Sequence, residues 1–175
     1  MCPKHMLIFL NPFFYKPTLR YRSVLDIPLE FFYHDDMKLV ILDLDDTIAG
    51  RHHSDIDVPQ EEWVRTIKHH CTVLLISNNP DPARVEHFAN KLGLDYIYNS
   101  GKPHISDKLR KMIEHYDKEH ICVIGDQLIT DVILGNNIGC KSIYVSPLTK
   151  PRLLSLFFLR IIENILCRIM GIKFN

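Results

Sequence analysis

Residues 38–47 read Lys-Leu-Val-Ile-Leu-Asp-Leu-Asp-Asp-Thr (KLVILDLDDT), and the way this stretch is read decides the fold. Lys38–Asp43 is a continuous apolar run that ends in acid, with no alternation of apolar and polar residues. Such a run suits a strand covered on both faces, as in a parallel sheet. The same pattern returns at Thr72–Ser77 (TVLLIS), briefly at Asp95–Tyr98, at Ile121–Gly125 (ICVIG) and at Ser142–Val145.

Helical signals fill the intervals. Pro59 to His70 can open a helix, with proline in its first turn. Asp81-Pro82 is a capping acid followed by proline, and Gly93 is placed to end that helix. His104 to Tyr116 and Leu128 to Asn137 supply two more. Strand and helix in strict alternation predict an α/β protein, a three-layer, doubly wound parallel sheet with right-handed crossovers. Ligands of such sheets bind at the carboxyl ends of the strands, so the strand-ending residues are the ones to examine.

On either side of this core (residues 37–149) the text changes. Residues 1–36 are rich in proline and aromatics without a clear period and read as an irregular arm packed on the domain. Residues 150–175 form an apolar, basic C-terminal helix. From Arg152 to Ile172 it is dense in Leu, Ile and Phe, with Arg160, Asn164 and Arg168 four apart in a narrow polar stripe and Glu163 beside it. Such a helix suits the core, a dimer seam or the bilayer interface. Met6–Leu10 is shorter than the core of a signal peptide, and no stretch approaches the roughly 18 apolar residues of a spanning helix. The expectation is a protein that is soluble or lies on a membrane, without crossing it.

The chain of 175 residues fits one domain, and its 21 basic residues offset 21 acidic ones, which argues against a general nucleic-acid binder. The five scattered cysteines include no CxxC pair; Cys71 and Cys122, at or within apolar runs, read as buried and reduced, and point to a cytoplasmic compartment. The pairs His52-His53 and His69-His70 read as surface or packing residues.

Four strand-end motifs carry the chemistry. Asp43 and Asp45 are two apart on an extended segment and can face one pocket. Two carboxylates held close repel unless a cation or proton intervenes, and a hard divalent ion with oxygen ligands is the simplest resolution; the plainer reading is an acidic turn. Ser77-Asn78-Asn79 offers a hydroxyl and backbone N–H groups to a phosphate oxygen, although these are also common turn residues. Lys102, in a loop before a helix, can neutralise a phosphoryl group or simply face solvent. Gly125-Asp126 ends the fourth run, and Asp131 can return over a turn towards the same place, or either acid can cap the following helix. All four motifs fall on one edge of the predicted sheet.

In these residues the chain resembles the haloacid dehalogenase superfamily, whose motifs are DxDxT, a Ser/Thr after the second strand, a Lys, and a GDxxxTD-like acidic string. Here they read Asp43-Leu44-Asp45-Asp46-Thr47, Ser77, Lys102 and Gly125-Asp126…Thr130-Asp131. The strings SNN, KP and GDQLITDVILGNN are most similar to the YqeG-type class IIIA phosphatases and the related phosphatidylglycerophosphate phosphatases. The resemblance implies a Mg2+-dependent phosphomonoester hydrolase. Asp43 would be nucleophile and Asp45 general acid and base. Ser77, Asn78 and Lys102 would hold the phosphate; the metal would take Asp43, Asp126 and the Asp45 backbone carbonyl, with Thr47 and Asp131 in support. Residues 48–71 and 78–101 leave no room for a cap domain, so the expected site is open and suits a large or membrane-anchored substrate, such as a phospholipid, with peripheral membrane contact. The loop Ala49-Gly50-Arg51-His52-His53 departs from the apolar or aromatic residues usual there, which leaves substrate choice open. Two other readings are a receiver domain and a non-catalytic scaffold that binds membrane or protein through its tail. The first requires its lysine after the last acid. The second would be free to lose Asp43 or Asp45, and both are present.

Overall fold

The computed structural model describes residues 12–150 and 154–173. They contain the strands β1 (Leu19–Tyr21), β2 (Leu39–Asp43), β3 (Thr72–Ile76), β4 (Asp95–Ile97), β5 (Ile121–Gly125) and β6 (Lys141–Val145). The helices are α1 (Glu30–His34), α2 (Val58–Lys68), α3 (Pro82–Leu92), α4 (Asp107–Ile113), α5 (Ile133–Ile138) and α6 (Leu154–Ile169). Every strand pair is parallel, in the order β1-β6-β5-β2-β3-β4. From β2 the chain builds outward through β3 to β4, then crosses back to lay β5 on the other side of β2. The crevice between the carboxyl ends of β2 and β5 is the topological switch point, where such sheets bind ligands.

Side-chain parity along the strands explains the layers. Val40 and Leu42 of β2 enter a core with Val64 and Ile67 of α2 and Phe88 and Leu92 of α3. Leu39 and Ile41 point the other way, to Leu109 of α4 and Leu134 and Ile138 of α5. All five residues of β2 are buried, which is why its run lacks alternation.

The strands expected from the five apolar runs form to within one residue at either end. Helix α3 starts and stops on the predicted signals: the Asp81 carboxylate accepts from Ala83 N–H at 3.0 Å, and Gly93 closes it in the left-handed region at φ 62°. The arm differs from expectation. It contributes β1, a three-residue strand paired to Ile143–Val145, and buries Tyr21, Val24, Ile27 and Phe32 in the main core. Three residues are too few to display a period. Met6–Leu10 and Cys2 lie outside the described residues, as do Phe174 and Asn175. Cys71, Cys122 and Cys167 are buried free thiols. Burial pushes Cys71 up to about 11, raises Cys122 well above its ordinary range and raises Cys167.

The segment expected as one helix from Leu128 to Asn137 has two parts. Leu128–Val132 is a π-helical turn, in which the N–H groups of Asp131 and Val132 both reach the Gln127 carbonyl, at 3.0 and 3.3 Å. The wider turn brings the Asp131 side chain back over Gly125, the last residue of β5. A Cβ built on Gly125 would stand 2.2 Å from Asp131 Cγ, so a side chain there and the carboxylate cannot coexist. Gly125→Ala is therefore expected to destabilise the fold by about 1–3 kcal/mol, read as a lower urea midpoint. It should also weaken the phosphatase activity that the resemblance implies, by more than its loss of stability explains, because Asp131 is the group displaced.

Candidate active site at the carboxyl edge of the sheet

A cleft of about 470 Å3 opens at the switch point, lined by Asp43, Asp45, Ser77, Lys102 and Gln127, with Arg51 and His52 from the loop that follows β2. A larger hollow of about 670 Å3 lies at the amino ends of β2, β3 and β4, away from every strand-end motif.

The four motifs meet in the cleft. Asp43, Asp45, Ser77, Lys102, Asp126 and Asp131 are all buried, at 6% exposure or less. Lys102 is the hub. Its ammonium lies 2.5 Å from Asp43 Oδ1 and 2.7 Å from Asp131 Oδ1, so it bridges an acid at the end of β2 and one that follows β5. Burial works against its charge, but the carboxylates of Asp131 and Asp43 outweigh that and hold the ammonium above the ordinary lysine range. Burial likewise pushes the Asp43 carboxyl up to about 7 against the pull of Lys102, with the Asp131 carboxylate adding to the rise. Thr47 donates to Asp43 Oδ2 at 2.9 Å and so fixes the rotation of that carboxylate.

Asn78, whose backbone N–H is expected at the substrate phosphate beside Ser77, has its side chain engaged by the lysine loop. Its Oδ1 accepts from Lys102 N–H and from Ser100 Oγ, and Nδ2 donates to the Lys102 carbonyl, each at 2.9 Å. In the structure this amide positions Lys102. Ser77 Oγ donates to Asp45 Oδ2 at 3.2 Å and accepts from Asn79 N–H at 3.0 Å.

Asp45 has a partner that strand-end reasoning missed. Arg84, in the first turn of α3, donates through Nε to Asp45 Oδ1 at 2.9 Å. Its remaining nitrogens reach the carbonyls of His53, at 2.6 Å, and Gly50, at 3.0 Å. One guanidinium thus holds the Asp45 carboxylate and the loop that carries Arg51 and His52. A cation at the start of a helix is disfavoured by the helix dipole and calls for an anionic partner, and that signal is legible in the sequence. Asp46, with φ 65°, turns out of the site and accepts from Arg51 and Thr149.

Ligand oxygens of Asp43, Asp126 and Asp131 lie within 4.8 Å of one another. With Asp45, four buried carboxylates face two close cations, Lys102 and Arg84, and a divalent ion would offset the surplus. An all-oxygen carboxylate set fits a hard divalent cation. Asp131, expected in support, is near enough to be a ligand. The Asp45 side chain is engaged by Arg84, Ser77 and Asn79, which leaves Asp45 its backbone carbonyl to offer.

Comparison with known proteins points to one family. Residues 4–148 match the family model described as mitochondrial PGP phosphatase. The chain is 31% identical over 136 residues to the "Probable phosphatase YqeG" of Bacillus subtilis (strain 168), covering 77% of this chain and 78% of that one. It is 27% identical over 149 residues to "Phosphatidylglycerophosphatase GEP4, mitochondrial" of Saccharomyces cerevisiae, covering 77% and 80%. Among solved structures, hypothetical protein XCC2798 from Xanthomonas campestris shares the fold, with a TM-score of 0.52 at 15% identity over 77% of this chain and 78% of that one. The family match runs from the arm through the last motif, so the chain belongs to the PGP phosphatase family, the YqeG-type phosphatases of the haloacid dehalogenase superfamily.

Proposed function

We propose that this phosphatase is Mg2+-dependent, works through an aspartyl-phosphate on Asp43, and acts on a phosphate presented by a membrane lipid, with phosphatidylglycerophosphate the first candidate. The observation that carries the reading is the convergence of Asp43, Asp126 and Asp131 around the Lys102 ammonium in one open cleft. A phosphate dianion would be repelled by these carboxylates, and a bound Mg2+ would supply the positive charge that lets it approach and that stabilises the transferring group.

The chain's own residues divide the remaining work. A carboxylate oxygen of Asp43 attacks phosphorus, and the bond from phosphorus to the substrate oxygen breaks in line. Asp45, once it has taken up a proton, gives it to that departing oxygen. It then takes a proton from the water that attacks the phosphorus, which frees Asp43 and inorganic phosphate. Arg84 and Ser77 hold the Asp45 carboxylate at one angle for both transfers. Lys102, already charged, is placed for a phosphoryl oxygen.

Two features support a lipid substrate and residence on the inner face of a membrane. Among the described residues no cap covers the cleft, so nothing there encloses a small metabolite. Helix α6 also presents Ile161, Ile162, Ile165 and Ile169 to solvent at 40–68% exposure, with Arg168 exposed beside them. An apolar helix face with a basic residue suits a bilayer interface, and among the described residues no helix is long and apolar enough to cross one. The name of the yeast relative points to the same lipid.

The scheme predicts Mg2+-dependent phosphate release from phosphatidylglycerophosphate vesicles, stopped by EDTA and reduced at least about a thousandfold in Asp43→Asn with the circular dichroism spectrum unchanged. Activity on soluble monoesters alone would keep the chemistry and reject the lipid, and normal turnover in Asp43→Asn would reject the mechanism. Arg84→Ala should lower kcat by up to about a hundredfold, by loosening the proton-transfer group. Arg84→Lys should recover little, because an ammonium cannot span Asp45 and two carbonyls at once; kcat and KM measured for both variants check this.

A further inference from the structure

We infer that Glu163 of the C-terminal helix is a positioning residue for the acid pair Asp126 and Asp131, which makes α6 part of the support of the metal centre. The inference rests on the reading of that acid cluster as a divalent-cation site.

The sequence places Glu163 beside the polar stripe of the C-terminal helix. The structure turns it inward. Glu163 is 1% exposed, and its neighbours in the helix, Leu166, Cys167 and Met170, pack with it against Leu128, Val132 and Tyr144. Arg168 faces solvent, whereas the side chains of Arg160 and Asn164 lie outside the described residues. A buried carboxylate is costly unless hydrogen bonds or an opposite charge hold it. Glu163 Oε1 accepts from the Leu128 N–H at 2.7 Å, across 35 residues of chain.

That amide has a particular place. Leu128 opens the π-helical turn, and the first N–H groups of a helical turn have no carbonyl of their own to reach. Gln127, which precedes the turn, caps it with no side-chain bond. The Gln127 N–H is taken from the cleft side by Asp131 Oδ2 at 3.1 Å. Consecutive amides of one loop are therefore gripped by two carboxylates, Asp131 from within the site and Glu163 from outside it. Asp126 and Asp131 stand two residues before and three after the amide that Glu163 holds, and their oxygens must keep within 4.8 Å of Asp43 to share an ion. The Oε1 bond fixes the loop between them, and removing it releases the loop without touching any ligand atom.

The test is isothermal titration calorimetry of Mn2+ into the full chain, with Asp126→Asn as the reference for a broken site. Glu163→Ala and Glu163→Met should weaken Mn2+ binding by about 10–100-fold, the usual effect of losing an outer partner of a metal site. The methionine variant fills the space beside Cys167 without offering an oxygen, and serves if the alanine variant fails to fold. Glu163→Gln keeps an acceptor oxygen and should recover most of the affinity. Wild-type affinity in a folded alanine or methionine variant overturns the inference. So does a glutamine variant as weak as methionine, because the lost acceptor would then not be the cause. Wild-type protein that binds Mn2+ no better than Asp126→Asn overturns the metal reading itself, and this inference with it.

Discussion

The mutual repulsion of carboxylates buried at the switch point is the constraint around which this edge of the sheet is arranged. Asp43, Asp126 and Asp131 stand within one ion's reach, and Asp45 lies close by. Charges taken out of water cost several kcal/mol each unless their geometry and hydrogen bonds compensate. Specific partners answer that cost for three of the four: Lys102 and Thr47 for Asp43, Arg84 and Ser77 for Asp45, and Lys102 with the Gln127 amide for Asp131. The arrangement still leaves negative charge in surplus, which suits a centre that takes up a cation and then an anion.

The compensating groups come from segments far apart in the chain, so the site depends on the whole of the core. Asn78 after β3 fixes the backbone of Lys102, and Lys102 joins the ends of β2 and β5. Arg84 ties α3 to the loop after β2. Glu163 ties α6 to the loop after β5. The exposed isoleucine face of α6 belongs to the helix that grips the acid loop. That exposed face and the acid loop are thereby joined through one element.

Much of this organisation is legible in the amino-acid sequence. Continuous apolar runs ending in Asp43 and Gly125 reveal central parallel strands, because a strand covered on both faces has no polar side to display. Asp81 and Gly93 mark the ends of α3 through local hydrogen bonding and backbone preference. The strand β1 is not legible: Leu19-Arg20-Tyr21 is too short for a period, and only pairing with β6 makes it a strand. The π-helical turn at Leu128–Val132 is hidden for a similar reason, since its hydrogen-bond shift leaves no mark on composition.

By itself, then, the sequence determined the layers, the strand ends and the acids, serine and lysine that sit there, because apolar periodicity and strand-end position are local properties carried by neighbouring residues. The tertiary structure alone decided the partners. It gave the Asn78 side chain to Lys102 and Asp45 to Arg84, brought Asp131 among the possible ligands, and buried Glu163 against Leu128. Those pairings join residues 24 to 88 positions apart, and which charge meets which across such a span depends on how the packed layers bring them together, a quantity no local stretch of sequence contains.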